Sequence, residues 1–162
     1  ADWRSCFFAA ASLRYTRTPT FVVQSLYNFG AWEILEQGFN PSNGATVAAD
    51  WRACWSYGRL TPSTWNASCN ATQRTIILDF GQRVRAALAP AAEPSNPHGV
   101  FGDACPNEHC QLHMPAWHVA FVDGQPLGRA VERWYFENAT TKLTDGDFPG
   151  NPRCGAYDEV TA

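Results

Sequence analysis

The sequence has no long apolar run, no concentration of basic residues, and no charged region followed by a hydrophobic one at its start. A helix needs about 20 consecutive apolar residues to cross a bilayer, so we expect no membrane span and see no signal peptide. The formal net charge is -3 and the 12 Lys and Arg residues are scattered, so we expect no nucleic-acid partner. Because 45% of the 162 residues are hydrophobic, the chain can bury the core of one compact domain.

A second absence concerns catalytic residues. No serine lies in a glycine-framed turn of the kind that presents a nucleophile in α/β hydrolases. A possible general base is nevertheless present, because His109 follows the short apolar run 99–101 and is flanked by Cys105 and Cys110. An imidazole just past a strand end is typical of a general base in α/β enzymes. The alternative is a histidine packed structurally between disulfides.

The same segment places four possible metal ligands within nine residues, namely Cys105, His109, Cys110 and His113. Their spacing fits no paired zinc-finger pattern, and two adjacent ligands would strain a tetrahedral site. We therefore expect no metal and no cofactor. His98 and His118 are expected at the surface or at the edge of the core.

Cysteines and glycosylation signals both favour the secretory pathway. The six cysteines are compatible with three disulfides and with fifteen connectivities: Cys6, Cys54, Cys69, Cys105, Cys110 and Cys154. The sequence has three N-glycosylation acceptor sites, at Asn66, Asn70 and Asn138. Two of them flank Cys69, and a bond from Cys54 to Cys69 would tie the Trp-rich segment 45–57 to this loop. We expect a secreted, extracellular glycoprotein of the cell wall, matrix or cell surface.

Hydrophobic patterning predicts a small set of helices and strands. Residues 19–28 and 98–103 are predicted strands, the first of them buried on both faces because its apolar residues are continuous. Residues 72–89 form the clearest helix, capped by Asn70 or Thr72 and ended by Pro90, with Ile76 and Ile77 on its apolar face. Residues 126–137 are a further predicted helix. Tryptophans at helical spacing are expected in the core rather than on a carbohydrate-binding surface: Trp51, Trp55, Trp65, Trp117 and Trp134.

These elements indicate an α/β fold, but the predicted strands are too few to form a stable sheet. Residues 138–162 are expected to be a turn-rich tail that only Cys154 anchors. Two strands do not form a stable sheet, so we expect polypeptide outside this sequence to complete it. The alternative is that further strands lie in segments predicted here as loops.

Several blocks of sequence resemble the pectin acetylesterase and Notum family of secreted α/β-hydrolase-like carboxylesterases. A Cys-Phe-Phe block at residues 6–8 precedes the strand ending at Tyr27, with Trp32 beyond it, and residues 51–54 match a Trp-x-x-Cys block. Cys105, followed by His-Cys-Gln at 109–111 and by residues 129–136, resembles two blocks near the family's end. The resemblance is to the family's C-terminal half. It implies that residues 1–162 are the C-terminal portion of a single α/β-hydrolase-like domain.

The resemblance also implies roles for individual residues. His109 resembles the family's catalytic histidine, and Asn28 stands where the family has an aspartate. The family's serine and oxyanion glycines belong to its N-terminal half, which this sequence does not contain. An amide cannot stabilise an imidazolium as a carboxylate does, so Glu33 or Asp103 is considered as a substitute acid.

Two functions follow as expectations. The first is a serine-type esterase acting on acetylated polysaccharide, in which an N-terminal chain of the same hydrolase supplies the serine. The second is a catalytically inactive family member that is a structural or binding component of an extracellular assembly, with another subunit as its partner.

Overall fold

The computed structural model describes residues 9–28, 54, 61–106 and 116–154. These residues form five helices and five strands. The helices are α1 (Ala9–Ser12), α2 (Trp65–Ser68), α3 (Ala71–Ala92), α4 (Ala116–Val119) and α5 (Leu127–Phe136). The strands are β1 (Phe21–Ser25), β2 (Gly99–Asp103), β3 (Phe121–Val122), β4 (Gln125–Pro126) and β5 (Lys142–Thr144). No described helix combines the length and apolar character that a membrane span requires.

The central element is a parallel sheet with strand order β1-β2-β5. Phe21 pairs with Gly99 and Ser25 with Asp103, so β1 and β2 are in register over their full length. On the other side of β2, Gly102 pairs with Thr144 of β5. Parallel strands need a crossover connection, and α3 and α5 lie in the two crossovers. The expectation of an α/β fold is confirmed.

Each face of this sheet packs against its own core. Val100 of β2 belongs to a cluster that includes Ile77 and Leu88 of α3. The next residue, Phe101, belongs to a second cluster that includes Leu127 and Ala130 of α5. Because successive side chains of a strand point to opposite faces, α3 and α5 cover opposite faces of the sheet.

Helix α3 starts at a capping box. The Asn70 side chain accepts from the Gln73 backbone N–H, and the Gln73 side chain accepts from the Asn70 N–H. This confirms the predicted cap and helix. The predicted apolar face is wrong at one position, since Ile76 is exposed whereas Ile77 is buried.

The prediction that Pro90 ends this helix is wrong, because α3 continues to Ala92. Tertiary contacts hold the last turn in place. Ala91 is fully buried, its carbonyl accepts from Lys142 Nζ at 2.6 Å, and the Pro90 carbonyl accepts from Asn96 Nδ2 at 3.0 Å. These contacts offset the backbone hydrogen bond that proline cannot donate.

Three of the five strands lie in segments that were predicted as loops or helix. β5 is only three residues long, but Leu143 packs in the second core and the flanking backbone bonds to β2. The tail is therefore anchored by β5 as well as by Cys154, which corrects the expectation of a single anchor. The β3–β4 hairpin turns at Asp123 and Gly124, which have φ of 49° and 74°. Helix α5 consequently begins at Leu127 rather than Pro126.

Two burial expectations also need correction. Side chains of β1 contact both cores, as predicted, but Phe21 through Gln24 are only half-buried because β1 is an edge strand of the described sheet. His98 is 1% exposed, not at the surface. Its Nδ1 accepts from the Thr20 N–H at 3.1 Å, and Nε2 lies 3.1 Å from the Thr16 carbonyl. These two contacts make His98 a core histidine that joins the start of β2 to the segment before β1.

Candidate active site

The carboxyl ends of the three parallel strands lie at one edge of the sheet. The pairing of Ser25 with Asp103 places the chain beyond β1 beside the chain beyond β2. Asp145 directly follows β5, and its backbone N–H donates to the Gly102 carbonyl at 2.8 Å. Ligands of open α/β sheets bind at this edge, so it is the position for a catalytic site.

Asn28 lies three residues past β1 at this edge and is 7% exposed. The preceding turn is held rigidly, because Leu26 and Tyr27 are fully buried. The Leu26 N–H donates to the Asp103 carbonyl at 2.8 Å, and Ser25 Oγ donates to the Cys105 carbonyl at 2.8 Å. The buried group at this position is thus an uncharged amide held next to the end of β2.

Asp103 is the acid at the end of β2 and is 1% exposed. Its Oδ1 accepts from the Cys105 N–H at 2.6 Å, so the carboxylate stabilises the turn that leads toward His109. His109 and Glu33 both lie outside the described residues. The structure therefore places the turn that leads to Asn28 beside Asp103 and Cys105.

Asp145 is an acid at the same edge that sequence reasoning missed. Its Oδ2 accepts from the Ala104 N–H at 2.9 Å and from Asn151 Nδ2 at 2.7 Å. Burial raises the pKa of the Asp145 carboxyl above its ordinary value, and the hydrogen bonds from Ala104 and Asn151 oppose that rise. The only signal for it in the sequence was an acid directly after the short segment 142–144.

Two disulfides are formed by the described cysteines. Cys54 bonds to Cys69, as expected for tying the Trp-rich segment to the glycosylation loop. Cys105 bonds to Cys154, which joins the turn after β2 to the tail. Cys105 is therefore not available as a thiolate ligand, which removes one donor from the zinc alternative. Cys6, Cys110 and His113 lie outside the described residues.

A comparison of the sequence with known protein families identifies the family of this chain. The pectinacetylesterase family model matches residues 1–155. The chain belongs to the pectinacetylesterase family. Its resemblance to that family, inferred from motifs and spacing, is confirmed.

Curated pectinacetylesterase relatives include three proteins of Arabidopsis thaliana. Pectin acetylesterase 4 is 28% identical over 152 residues, covering 92% of this chain and 34% of the relative. Pectin acetylesterase 5 is 29% identical over 153 residues, covering 92% of this chain and 33% of the relative. Pectin acetylesterase 7 is 27% identical over 157 residues, covering 93% of this chain and 36% of the relative. This pectinacetylesterase-family chain thus spans about a third of these relatives, and no solved structure matches it.

The remaining predicted positions of this family member are the glycosylation sites and the tryptophans. Asn66, Asn70 and Asn138 are all exposed, as acceptors of a glycan must be. Trp65 is buried, which confirms its predicted core position, whereas Trp117 is 37% exposed. Trp51 and Trp55 lie outside the described residues.

Proposed function

We propose that this chain is the C-terminal portion of a secreted, glycosylated carboxylic ester hydrolase that removes acetyl groups from a polysaccharide of the pectin class. Family membership and the printed names of the relatives support the reaction and substrate. One structural observation carries the proposal. The register of Ser25 with Asp103 brings the Asn28 turn beside the start of the segment that carries His109.

In this proposal His109 is the general base and acid. It takes the proton from a serine hydroxyl, whose oxygen attacks the acetyl carbonyl and forms an acyl-enzyme. The protonated imidazole then gives its proton to the departing sugar oxygen as the bond from that oxygen to the acetyl carbon breaks. Water attacks the acyl group while His109 again accepts a proton, and His109 returns this proton to the serine oxygen as acetate leaves. The serine is supplied by polypeptide outside this sequence.

The same polypeptide would complete the sheet of an α/β-hydrolase-like fold. β1 and β5 are the two edge strands of the described sheet, and neither pairs with a further described strand on its outer side. The half-buried side chains of β1 support this part of the proposal, because parallel strands in α/β folds are normally covered on both faces and both edges.

Asn28 favours a second function, a catalytically inactive family member within an extracellular assembly. In serine proteases the change of the triad aspartate to asparagine lowers turnover about ten-thousandfold, because the imidazole is held in the wrong tautomer. Asn28 is buried at the position of the family's aspartate, where an amide cannot balance the charge of an imidazolium.

Labelling of the native assembly with a fluorophosphonate separates the two functions, because this probe reacts with activated serines. For the hydrolase we expect a labelled serine and acetate release from acetylated pectin, both lost in His109→Ala. The matched control is His118→Ala, since His118 is exposed on α4. Absence of labelling in the complete assembly supports the inactive member. Labelling that survives His109→Ala refutes the role of His109.

A further inference from the structure

Two large aromatic side chains at the end of α5 are exposed without serving the packing of that helix. Tyr135 is 69% exposed and Phe136 is 79% exposed, and their ring centroids lie 4.9 Å apart. Trp134, directly before them, is half-buried. Its ring lies 5.4 Å from that of Phe21, and its Nε1 donates to the Pro97 carbonyl at 3.1 Å. Adjacent exposed aromatics are unfavourable in water, which indicates that something covers them.

An N-glycosylation site follows this aromatic pair directly, at Asn138, Ala139 and Thr140. Asn138 has a φ of 52°, a left-handed conformation in which asparagine is enriched. The Ala139 N–H donates back to the Arg133 carbonyl at 3.1 Å, so the chain turns sharply at the helix end. Both the acceptor asparagine and the threonine of the site are exposed.

This turn places the glycosylation site and Tyr135, one of the two exposed aromatics, around one cavity. The cavity has a volume of about 360 Å³ and is lined by Trp134, Tyr135, Asn138 and Thr140, among others. Asn96 adds a polar side chain to the lining. A wall with aromatic rings on one side and amide and hydroxyl groups on another matches a pyranose, which has an apolar C–H face and polar edges.

The other two glycosylation sites have side chains that already serve the local fold. Asn70 Oδ1 accepts from the Gln73 N–H at 2.9 Å as the N-cap of α3. Asn66 Oδ1 accepts from an Arg74 guanidinium nitrogen at 3.3 Å. Asn138 is thus the acceptor that the fold sets beside a surface suited to a sugar.

We propose that Asn138 carries an N-linked glycan whose first N-acetylglucosamine packs on Tyr135 and Phe136. In the transfer, Asn138 Nδ2 attacks the anomeric carbon of an oligosaccharide linked to a lipid pyrophosphate. The C–N bond forms as the bond from that carbon to the pyrophosphate oxygen breaks. The amide nitrogen loses one proton, and the lipid pyrophosphate leaves.

The position of this glycan separates it from the proposed active site. Pro19 and Pro97 precede β1 and β2, and Thr140 precedes β5, so the cavity lies at the amino ends of the strands. The inference rests on the secretory route proposed above and does not require esterase activity. A chain without activity can therefore still carry the glycan, and the two proposals fail separately.

The first test is the occupancy of Asn138 in the protein secreted from a eukaryotic host, expressed with a cleavable secretion signal. Removal of glycans by peptide-N-glycosidase in ¹⁸O-water converts a glycosylated asparagine into an ¹⁸O-labelled aspartate. We expect this label on the tryptic peptide that spans residues 134–142, its loss in Thr140→Ala and its retention in Thr140→Ser. An unlabelled Asn138 in the secreted protein overturns the proposal.

The second test asks whether the first sugar packs on the aromatics. Ser68→Ala and Thr72→Ala remove the other two sites while keeping the side chains of Asn66 and Asn70. In this background, endoglycosidase H leaves one N-acetylglucosamine on Asn138. The sugar-free comparison is Thr140→Ala in the same background, which keeps Asn138 and receives no glycan. We expect the form with one sugar to unfold about 2–4 °C higher.

The matched control carries Tyr135→Ser and Phe136→Ser, which expose no new buried surface because both side chains are already exposed. In this variant the difference in unfolding midpoint should vanish. The packing is overturned if the sugar raises the unfolding midpoint equally with and without the two aromatic side chains. It is also overturned if the sugar changes the midpoint of neither protein. Binding of free N-acetylglucosamine oligomers to the unglycosylated protein, abolished by the same variant, would identify a carbohydrate-binding surface and contradict the proposal.

Discussion

The ring of Tyr27 lies directly against the backbone of α3 at Gly81. A Cβ atom built on Gly81 would stand 2.3 Å from Tyr27 Cε1. Tyr27 is fully buried, its hydroxyl accepts from the Phe148 N–H at 3.1 Å, and burial raises its pKa. The missing side chain of Gly81 thus lets the turn after β1, the middle of α3 and the tail meet at one aromatic ring.

Gly81→Ala is therefore expected to destabilise the protein. Alanine favours the helix by roughly 1 kcal/mol, but displacing a buried ring costs about 1–3 kcal/mol, and the clash exceeds the helix gain. Chemical denaturation of the purified protein measures the change. Ala86→Gly, at an exposed position of α3, is the control for the difference in helix propensity between alanine and glycine. Increased stability of Gly81→Ala would show that Tyr27 moves aside freely.

Lys142 is the only lysine in the sequence, and its ammonium donates to three backbone carbonyls. The acceptors are Ala91 at 2.6 Å, Asn96 at 3.0 Å, and His98. Lys142→Met should cost about 2–3 kcal/mol because it leaves these carbonyls without their donor. Arg83→Met, which removes an exposed cation, should change stability by less than about 1 kcal/mol.

A chemical measurement checks Lys142 independently. Acylation with an amine-specific reagent should be slow in the folded protein and rapid after unfolding. It is read from the tryptic peptide 134–153, which forms because trypsin does not cleave after an acylated Lys142. Equal rates in the two states would contradict the three hydrogen bonds.

Asp145 should give the stability a definite pH dependence. Its pKa is raised in the folded state by burial, so its contribution is fully present below the unfolded pKa of about 3.9 and is lost as pH rises through the folded pKa. Asp145→Asn removes this loss. We expect the unfolding free energy of Asp145→Asn minus that of the original protein to increase between about pH 4 and pH 7.

The pKa shift of Asp147, two residues away, has the opposite sign, so Asp147 provides the control. The Arg85 guanidinium, 2.9 Å from Asp147 Oδ1, lowers the pKa of that carboxyl. Its contribution is present above the unfolded pKa and is lost as pH falls through the folded pKa. The effect of Asp147→Asn should be small, because the aspartate side chain is 43% exposed. A pH-independent effect of Asp145→Asn would contradict the role of burial.

Asn28→Asp tests whether the missing carboxylate limits catalysis. In the complete hydrolase we expect acetate release to rise by at least about tenfold, because a carboxylate orients and stabilises the imidazolium. Asn70→Asp makes the same chemical change at the N-cap of α3, where the side-chain oxygen still accepts from the Gln73 N–H, and should leave turnover unchanged. No gain with Asn28→Asp would show that another group already orients the histidine, or that the member is inactive for a different reason.

Local sequence patterns predicted the longest elements of the fold. The apolar residues at 21–25 and 99–103 and the capping box at Asn70 act within a few residues of themselves, and each appears in the structure. The Asp-Gly pair at 123–124 is a strong local signal for a hairpin, and it was missed because the helix pattern beyond it extended to Pro126. The family could be inferred because its motifs are defined by residue order alone.

Positions stabilised by distant partners could not be read from the chain. β5 has too few residues for a periodic pattern, and it forms a strand because β2 supplies its backbone partners. Pro90 stays in α3 because Lys142 and Asn96 bind the carbonyls of its last turn. Asp145 joins the candidate site only because β5 ends beside β2.

The sequence by itself determined the family, the two longest strands and the long helix. Only the tertiary structure decided which acids lie at the carboxyl edge, that His98 is buried, and that Asn138 adjoins a cavity with Tyr135. The physical reason is the range of the interactions. Capping and hydrophobic periodicity act between neighbours in the chain, whereas sheet pairing, burial and pKa shifts depend on residues that folding brings together.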